Sequence, residues 1–114
     1  MTVGTRQYES VNSTTTTMSG NADLTLTAAS DKLQIVDPGG SARNLDLIFV
    51  DASETGVTTG FAEVYVQNEA DADEGLTIRD GNNSDNEIGV LDRNAGGWFR
   101  FVGGQWVSST SGLN

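Results

Sequence analysis

The chain has no cysteine and no histidine, and it has a single proline, Pro38, and a single lysine, Lys32, among its 114 residues. Without cysteine there are no disulfides and no thiolate metal sites. Without histidine the commonest general base and the commonest metal ligand are gone, and every Ser-His-Asp or Cys-His arrangement goes with them. The 14 glycines form no phosphate-binding loop, because no GxxxxGK[ST] surrounds the one lysine. No apolar run approaches the ~20 residues that a spanning helix needs. The first twenty residues, MTVGTRQYESVNSTTTTMSG, lack the continuous apolar stretch of a secretory signal. Carboxylates are the only abundant reactive groups left, and nothing in their spacing marks two of them as an acid–base pair. The expectation is a protein with no catalytic residues, no cofactor and no metal.

What is present is acid. There are 16 acidic against six basic residues, a formal charge of −10. Residues 51–92 carry eleven acids and one base, Arg79, while residues 93–114 carry two arginines and no acid. Such a middle repels phosphate, so neither nucleic acid nor an anionic membrane surface is expected as a partner. The length implies one domain with a modest core.

Residues 1–20 hold few side chains that could fill a core, and Thr14 to Thr17 form a run of β-branched residues that resists helix and favours extended chain. Two readings are open: a disordered tail, or, the one expected here, an extended arm that adds a strand to a neighbouring subunit, anchored by Val3, Tyr8, Val11 and Met18. From Asn21 onward period two dominates. Leu24, Leu26 and Ala28 share one face, then Leu45, Leu47 and Phe49, then Ala62, Val64 and Val66, then Leu76 and Ile78, then Ile88 and Val90. Asp37-Pro38-Gly39-Gly40, residues 69–75 and residues 80–87 carry turn residues between these runs. Gly103-Gly104 between WFRFV and QWVSS is a two-residue hairpin signal. The nearest approach to a helix is residues 51–58, which are short and β-branched. The pattern predicts an all-β domain over residues 21–114: an antiparallel β-sandwich, jelly-roll-like, of about eight short strands.

Two acidic stretches raise the question of calcium. Glu69, Asp71, Asp73 and Glu74 match no loop pattern and are expected to be a solvated tip. DGNNSDNE, residues 80–87, offers oxygens at Asp80, Asn82, Ser84 and Asn86. It lacks the glycine at position six and the glutamate at position twelve of an EF-hand, so it reads as a tight turn.

Both tryptophans, Trp98 and Trp106, and two of the four phenylalanines, Phe99 and Phe101, fall in GGWFRFVGGQWVSST, residues 96–110. Period two puts Phe99 and Phe101 on one face and Trp98 and Arg100 on the other. One face is expected to fill the core and the other to meet a partner, since Trp and Arg are favoured at interfaces. Trp98, Arg100 and Trp106 are therefore candidate contact residues. A sugar-binding platform is the weaker reading of the same aromatics.

The order LQIVDPGGSARNLDL, FAEVYVQN, GLTIRDGN, IGVLDRNAGGWFRFVGGQW resembles a small β module of tailed-bacteriophage structural proteins. In it a "dpgg-s-rn-v-l" strand precedes an "i-v-N" strand, an "l-t-i-d-g" strand and a terminal "G-g-W" hairpin. Such modules occur in head decoration (cement) proteins and in tail fibres. The tail-fibre version carries an "LP" where this chain reads Leu47-Ile48-Phe49-Val50, and a chain of this length fits a stand-alone protein. The resemblance implies a virion protein on the outer capsid surface, bound to the major capsid protein as a homotrimer, with no catalysis. The alternative it leaves is a carbohydrate- or host-surface-binding module of a tail fibre or spike.

Overall fold

Among the described residues nine strands form two sheets, and the first six alternate between them. The computed structural model describes residues 12–27, 29–50 and 62–109. In chain order the strands are β1 (Ser13–Thr17), β2 (Ala22–Leu26), β3 (Leu33–Asp37), β4 (Arg43–Phe49), β5 (Ala62–Asn68), β6 (Leu76–Asp80), β7 (Asn86–Leu91), β8 (Gly96–Val102) and β9 (Gln105–Ser108). They form a five-stranded sheet in the order β1-β3-β5-β8-β9 and a four-stranded sheet in the order β2-β4-β6-β7. The protein is therefore all-β.

The chain climbs as a flattened coil. Each of the first five strands is followed by a strand of the opposite sheet, so the return to the first sheet brings a parallel neighbour: β1 beside β3, β3 beside β5, β2 beside β4 and β4 beside β6. Parallel neighbours need a crossover connection, and here the crossover is the strand of the facing sheet. After β6 the direction reverses. β7 runs antiparallel to β6, β8 antiparallel to β5, and β9 closes the five-stranded sheet as a hairpin on β8. The expectation of an antiparallel sandwich is thus corrected to two mixed sheets, in which four of the seven pairings are parallel, and the alternating order is not a jelly roll. The expected eight strands become nine because the threonine run contributes one.

That run also corrects the arm. β1 pairs with β3 of its own chain, Ser13 beside Leu33 through Thr17 beside Asp37. Met18, at 4% exposure, enters the core. Residues 13–18 therefore belong to the body, and the predicted boundary at residue 20 cuts through it. Val3, Tyr8 and Val11, like residues 51–58, lie outside the described residues.

Period-two alternation is otherwise realised as expected. Leu26, Leu45, Leu47, Phe49, Leu76 and Ile78 point inward from the four-stranded sheet, against Val36, Val64, Val66, Phe99, Phe101 and Trp106 from the other. Phe101 joins the layers, its ring centroid 4.9 Å from that of Phe49 and 5.5 Å from that of Trp106. β7 departs from the prediction. A bulge lets Ile78 face Gly89 while Arg79 faces Glu87, so Ile88 is the extra residue and Val90 turns outward, 54% exposed. Gly103 and Gly104 have φ of 66° and 86°, the positive values that a two-residue hairpin of primed type demands, and Val102 faces Gln105 across them.

Candidate functional site

The two outer faces of the molecule differ in chemistry, and the difference follows from the register. On the five-stranded sheet, Leu33 lies beside Tyr65 and Tyr65 beside Trp98, so three large side chains cross three strands in one row. The Tyr65 and Trp98 rings meet edge to face with centroids 5.3 Å apart. The Tyr65 ring lies where a side chain on Gly96 would stand: a Cβ there would collide with Tyr65 ring atoms at 2.6 Å. Gly96 thus lets the tyrosine lie flat across β8. Trp98 and Val102 are among the few large apolar side chains left exposed, at 39% and 45%, and the exposed Arg100 stands between them on β8. Glu63 is the cross-strand neighbour of Arg100. Phe99 and Phe101 are buried, as predicted for the opposite face of the strand.

On the four-stranded sheet the equivalent row is ionic: Asp23, Asp46, Arg79 and Glu87 are successive neighbours across β2, β4, β6 and β7. Arg79 donates from Nε to Asp46 Oδ1 and from Nη2 to Asp46 Oδ2 at 2.9 Å, a bidentate pair. Its Nη2 also lies 3.8 Å from Asp85 Oδ2. The hydrogen bonds to Asp46, aided by the charges of Asp46, Asp85 and Asp23, hold the guanidinium above its ordinary pKa against a smaller opposing effect of burial.

Two further clusters hold the sheets in place rather than offering a surface. Asn68 is fully buried. Its Nδ2 donates to Glu74 O and Leu91 O, both at 2.9 Å, and its Oδ1 accepts from Ala70 N at 3.0 Å. Asp80 is 3% exposed and accepts from Asn82 N, Asn83 Nδ2 and Trp106 N. Asn82 donates to Phe49 O and accepts from Phe49 N and from Trp106 Nε1. The DGNN turn is therefore a knot tying the ends of β4, β6 and β9 together. Its side-chain oxygens at Asp80 and Asn82 face protein donors, which removes them from the calcium reading. No group of three or more Asp and Glu side chains that could hold a metal ion occurs among the described residues.

Of the predicted contact residues, Trp98 and Arg100 share the outer face of β8. Trp106 is corrected: at 1% exposure it is a core residue, because the two-glycine turn sets its side chain inward beside Phe101. Met18 is corrected likewise, as its backbone N–H bonds Asp37 O and its side chain is buried. Sequence reasoning missed Tyr65. The alternation in FAEVYVQN gave its outward direction, but nothing local gave its neighbours, which are set by register across three strands. The chain matches no known family, no curated protein and no solved structure.

Proposed function

We propose that this chain is a virion structural protein of the decoration or cement type, bound as a homotrimer to the major capsid protein on the outer capsid surface. The observation that carries this reading is the outer face of the five-stranded sheet. It presents Tyr65, Trp98, Arg100 and Val102 together, the aromatic and arginine composition that marks the centre of protein interfaces. The opposite, acidic face suits solvent. The resemblance to phage structural modules, carried by the turn and strand motifs from Leu24 to Val107, points the same way. A coil of short strands knotted by buried polar groups is a rigid unit, and rigid clamps seated across capsid subunits raise the barrier to capsid opening without touching DNA.

Light scattering at micromolar concentration tests the assembly and should report three copies; co-sedimentation with capsids tests the partner. The combined substitution Trp98→Ala, Arg100→Ala should lower co-sedimentation sharply while the circular dichroism stays that of an intact β protein. A stable monomer whose co-sedimentation is indifferent to both changes would overturn the reading. The Tyr65–Trp98 pair also favours a second one, a carbohydrate-binding module, since exposed aromatic faces stack on sugar rings. Glycan-array binding lost in Trp98→Ala, with only a few copies per virion, would establish that instead.

A further inference from the structure

A cavity of about 310 Å³ lies at the β1–β2 end of the molecule, away from Trp98. Its walls are Leu24 and Leu26 on one side and Thr14, Ser30, Asp31 and Gln34 on the other. The volume sits at the lower end of the range of small-molecule sites, ~300–1,000 Å³. Gln34 is 2% exposed, and its side chain is only half satisfied. Nε2 donates to Asp31 O at 2.9 Å, while Oε1 is buried with no hydrogen-bond partner among the described residues. The bond to the Asp31 carbonyl fixes the amide orientation, because the flipped amide would set two acceptors against each other. A buried carbonyl without a donor is costly in a folded protein, so its retention needs a reason.

The polar wall is rich in acceptors. Asp31 is half-buried and takes the Thr14 hydroxyl on Oδ2 at 2.7 Å, which leaves further lone pairs on its carboxylate. Ser30 Oγ already accepts from Thr27 N at 2.8 Å. Facing these oxygens are two leucines. An aliphatic stem against Leu24 and Leu26, ending in a group with N–H donors and no acceptor, fits both walls. A primary ammonium has three donors and none of the acceptors that would clash with Gln34 Oε1 and Asp31. The formal charge of −10 draws such a cation in. We propose that this cavity binds a primary ammonium on an aliphatic stem, and that its source is a lysine side chain of a partner protein. The inference does not rest on the virion reading or on the Trp98 surface.

The test is an amide chemical-shift titration of the full chain with four probes: n-butylammonium, the lysine analogue Nα-acetyl-lysine N-methylamide, cadaverine, and 1-butanol as the neutral isostere. Butylammonium and the lysine analogue should shift the Gln34 side-chain amide and the backbone amides of Leu24, Leu26 and Ser30, with 1-butanol weaker by about tenfold or more, the factor set by one charge-assisted hydrogen bond. Asp31→Asn, a change at a half-buried position, should weaken both amines by about tenfold without altering the rest of the spectrum. Gln34→Leu should do the same where it folds; where it does not, Asp31→Asn carries the test alone. No shift with either amine, equal binding of 1-butanol, or amine binding unchanged in Asp31→Asn overturns the site. Cadaverine binding about tenfold tighter than the lysine analogue overturns the lysine source in favour of a free diamine.

Discussion

The two outer faces of this molecule are built from the same strand geometry and opposite chemistry. On one, Leu33, Tyr65 and Trp98 cross three parallel and antiparallel strands as an apolar row; on the other, Asp23, Asp46, Arg79 and Glu87 cross four strands as an ionic row. The first row leaves a tryptophan and a valine exposed beside an arginine. The second ties its central charge pair together with mutual hydrogen bonds. A face that is made to stay in water can satisfy its charges internally, whereas a face that awaits a partner leaves apolar area uncovered. The contrast separates the surface proposed to bind from a surface that answers its own charges.

The largest expected effect comes from comparing the two tryptophans, one inside and one on the proposed binding face. Trp106→Ala empties a site between Phe101 and the DGNN knot and removes the donor to Asn82 Oδ1. It should cost about 3–5 kcal/mol, read as a lower urea midpoint, and the protein should bind partners poorly only because less of it is folded. If Trp106→Ala leaves the midpoint unchanged, the sheets do not share the core described here.

Next in size is the ionic row. Arg79→Met leaves the Asp46 carboxylate, 8% exposed, without its bidentate partner and beside Asp23. Removing one member of such a pair costs more than the pair itself is worth, because the remaining charge is stranded. The urea midpoint should fall, and the double substitution Arg79→Met, Asp46→Leu should recover most of the loss. A double variant no better than the single would mean that Asp46 is not stranded when Arg79 is gone.

These predictions depend on features that were unequally legible in the sequence. Which residues face inward was legible almost everywhere, because a half-buried strand alternates whatever its neighbours do. The direction of pairing was not. Parallel sheets are usually recognised as continuous apolar runs with helices on both faces, but here each parallel strand keeps one face in water, so its alternation is that of an antiparallel strand. The coil was hidden further by unequal steps: Ser13 pairs with Leu33, but Leu33 pairs with Tyr65. β1 was misread because its threonines are exposed, and its identity comes from hydrogen bonds to β3 rather than from side-chain burial. Deleting residues 1–20 would therefore remove an edge strand and the Met18 side chain from the body. Trp98 and Arg100 were legible as one face of one strand. Tyr65, and the turning inward of Asp80 and Asn82, depend on contacts between residues far apart in the chain.

On the proposed binding face itself the expected cost to folding is smaller and the cost to binding larger. Trp98→Ala loses an edge-to-face contact with Tyr65, worth about 1 kcal/mol, and little core. Partner affinity should nonetheless fall by more than about tenfold, as for an aromatic residue near the centre of an interface. Co-sedimentation and the urea midpoint measured on the same preparation separate the two effects. A variant that loses stability and binding in proportion would make Trp98 a structural residue only.

The smallest effect is expected at the acidic turn between β5 and β6, where the charge is greatest and the structural dependence least. Asp71 and Asp73 are exposed, and neither donates to nor accepts from any hydrogen bond found among the described residues, in contrast to Asp80, which accepts three. The turn is instead held from beneath: Asn68 Oδ1 accepts from the Ala70 N–H, Asn68 Nδ2 donates to Glu74 O, and Ala70 is buried at 5%. Charges displayed on a backbone that others secure can be removed at little cost. The substitutions Asp71→Asn and Asp73→Asn together should move folding stability by no more than about 0.5 kcal/mol and leave partner binding unchanged. Asp80→Asn, one acid removed rather than two, should destabilise more than both, because the amide puts a donor either where Asn83 Nδ2 and Trp106 N need an acceptor or where Asn82 N does. Equal effects at the two places would mean that the negative charge itself, rather than the hydrogen bonds that one carboxylate accepts, decides the stability of this end of the fold.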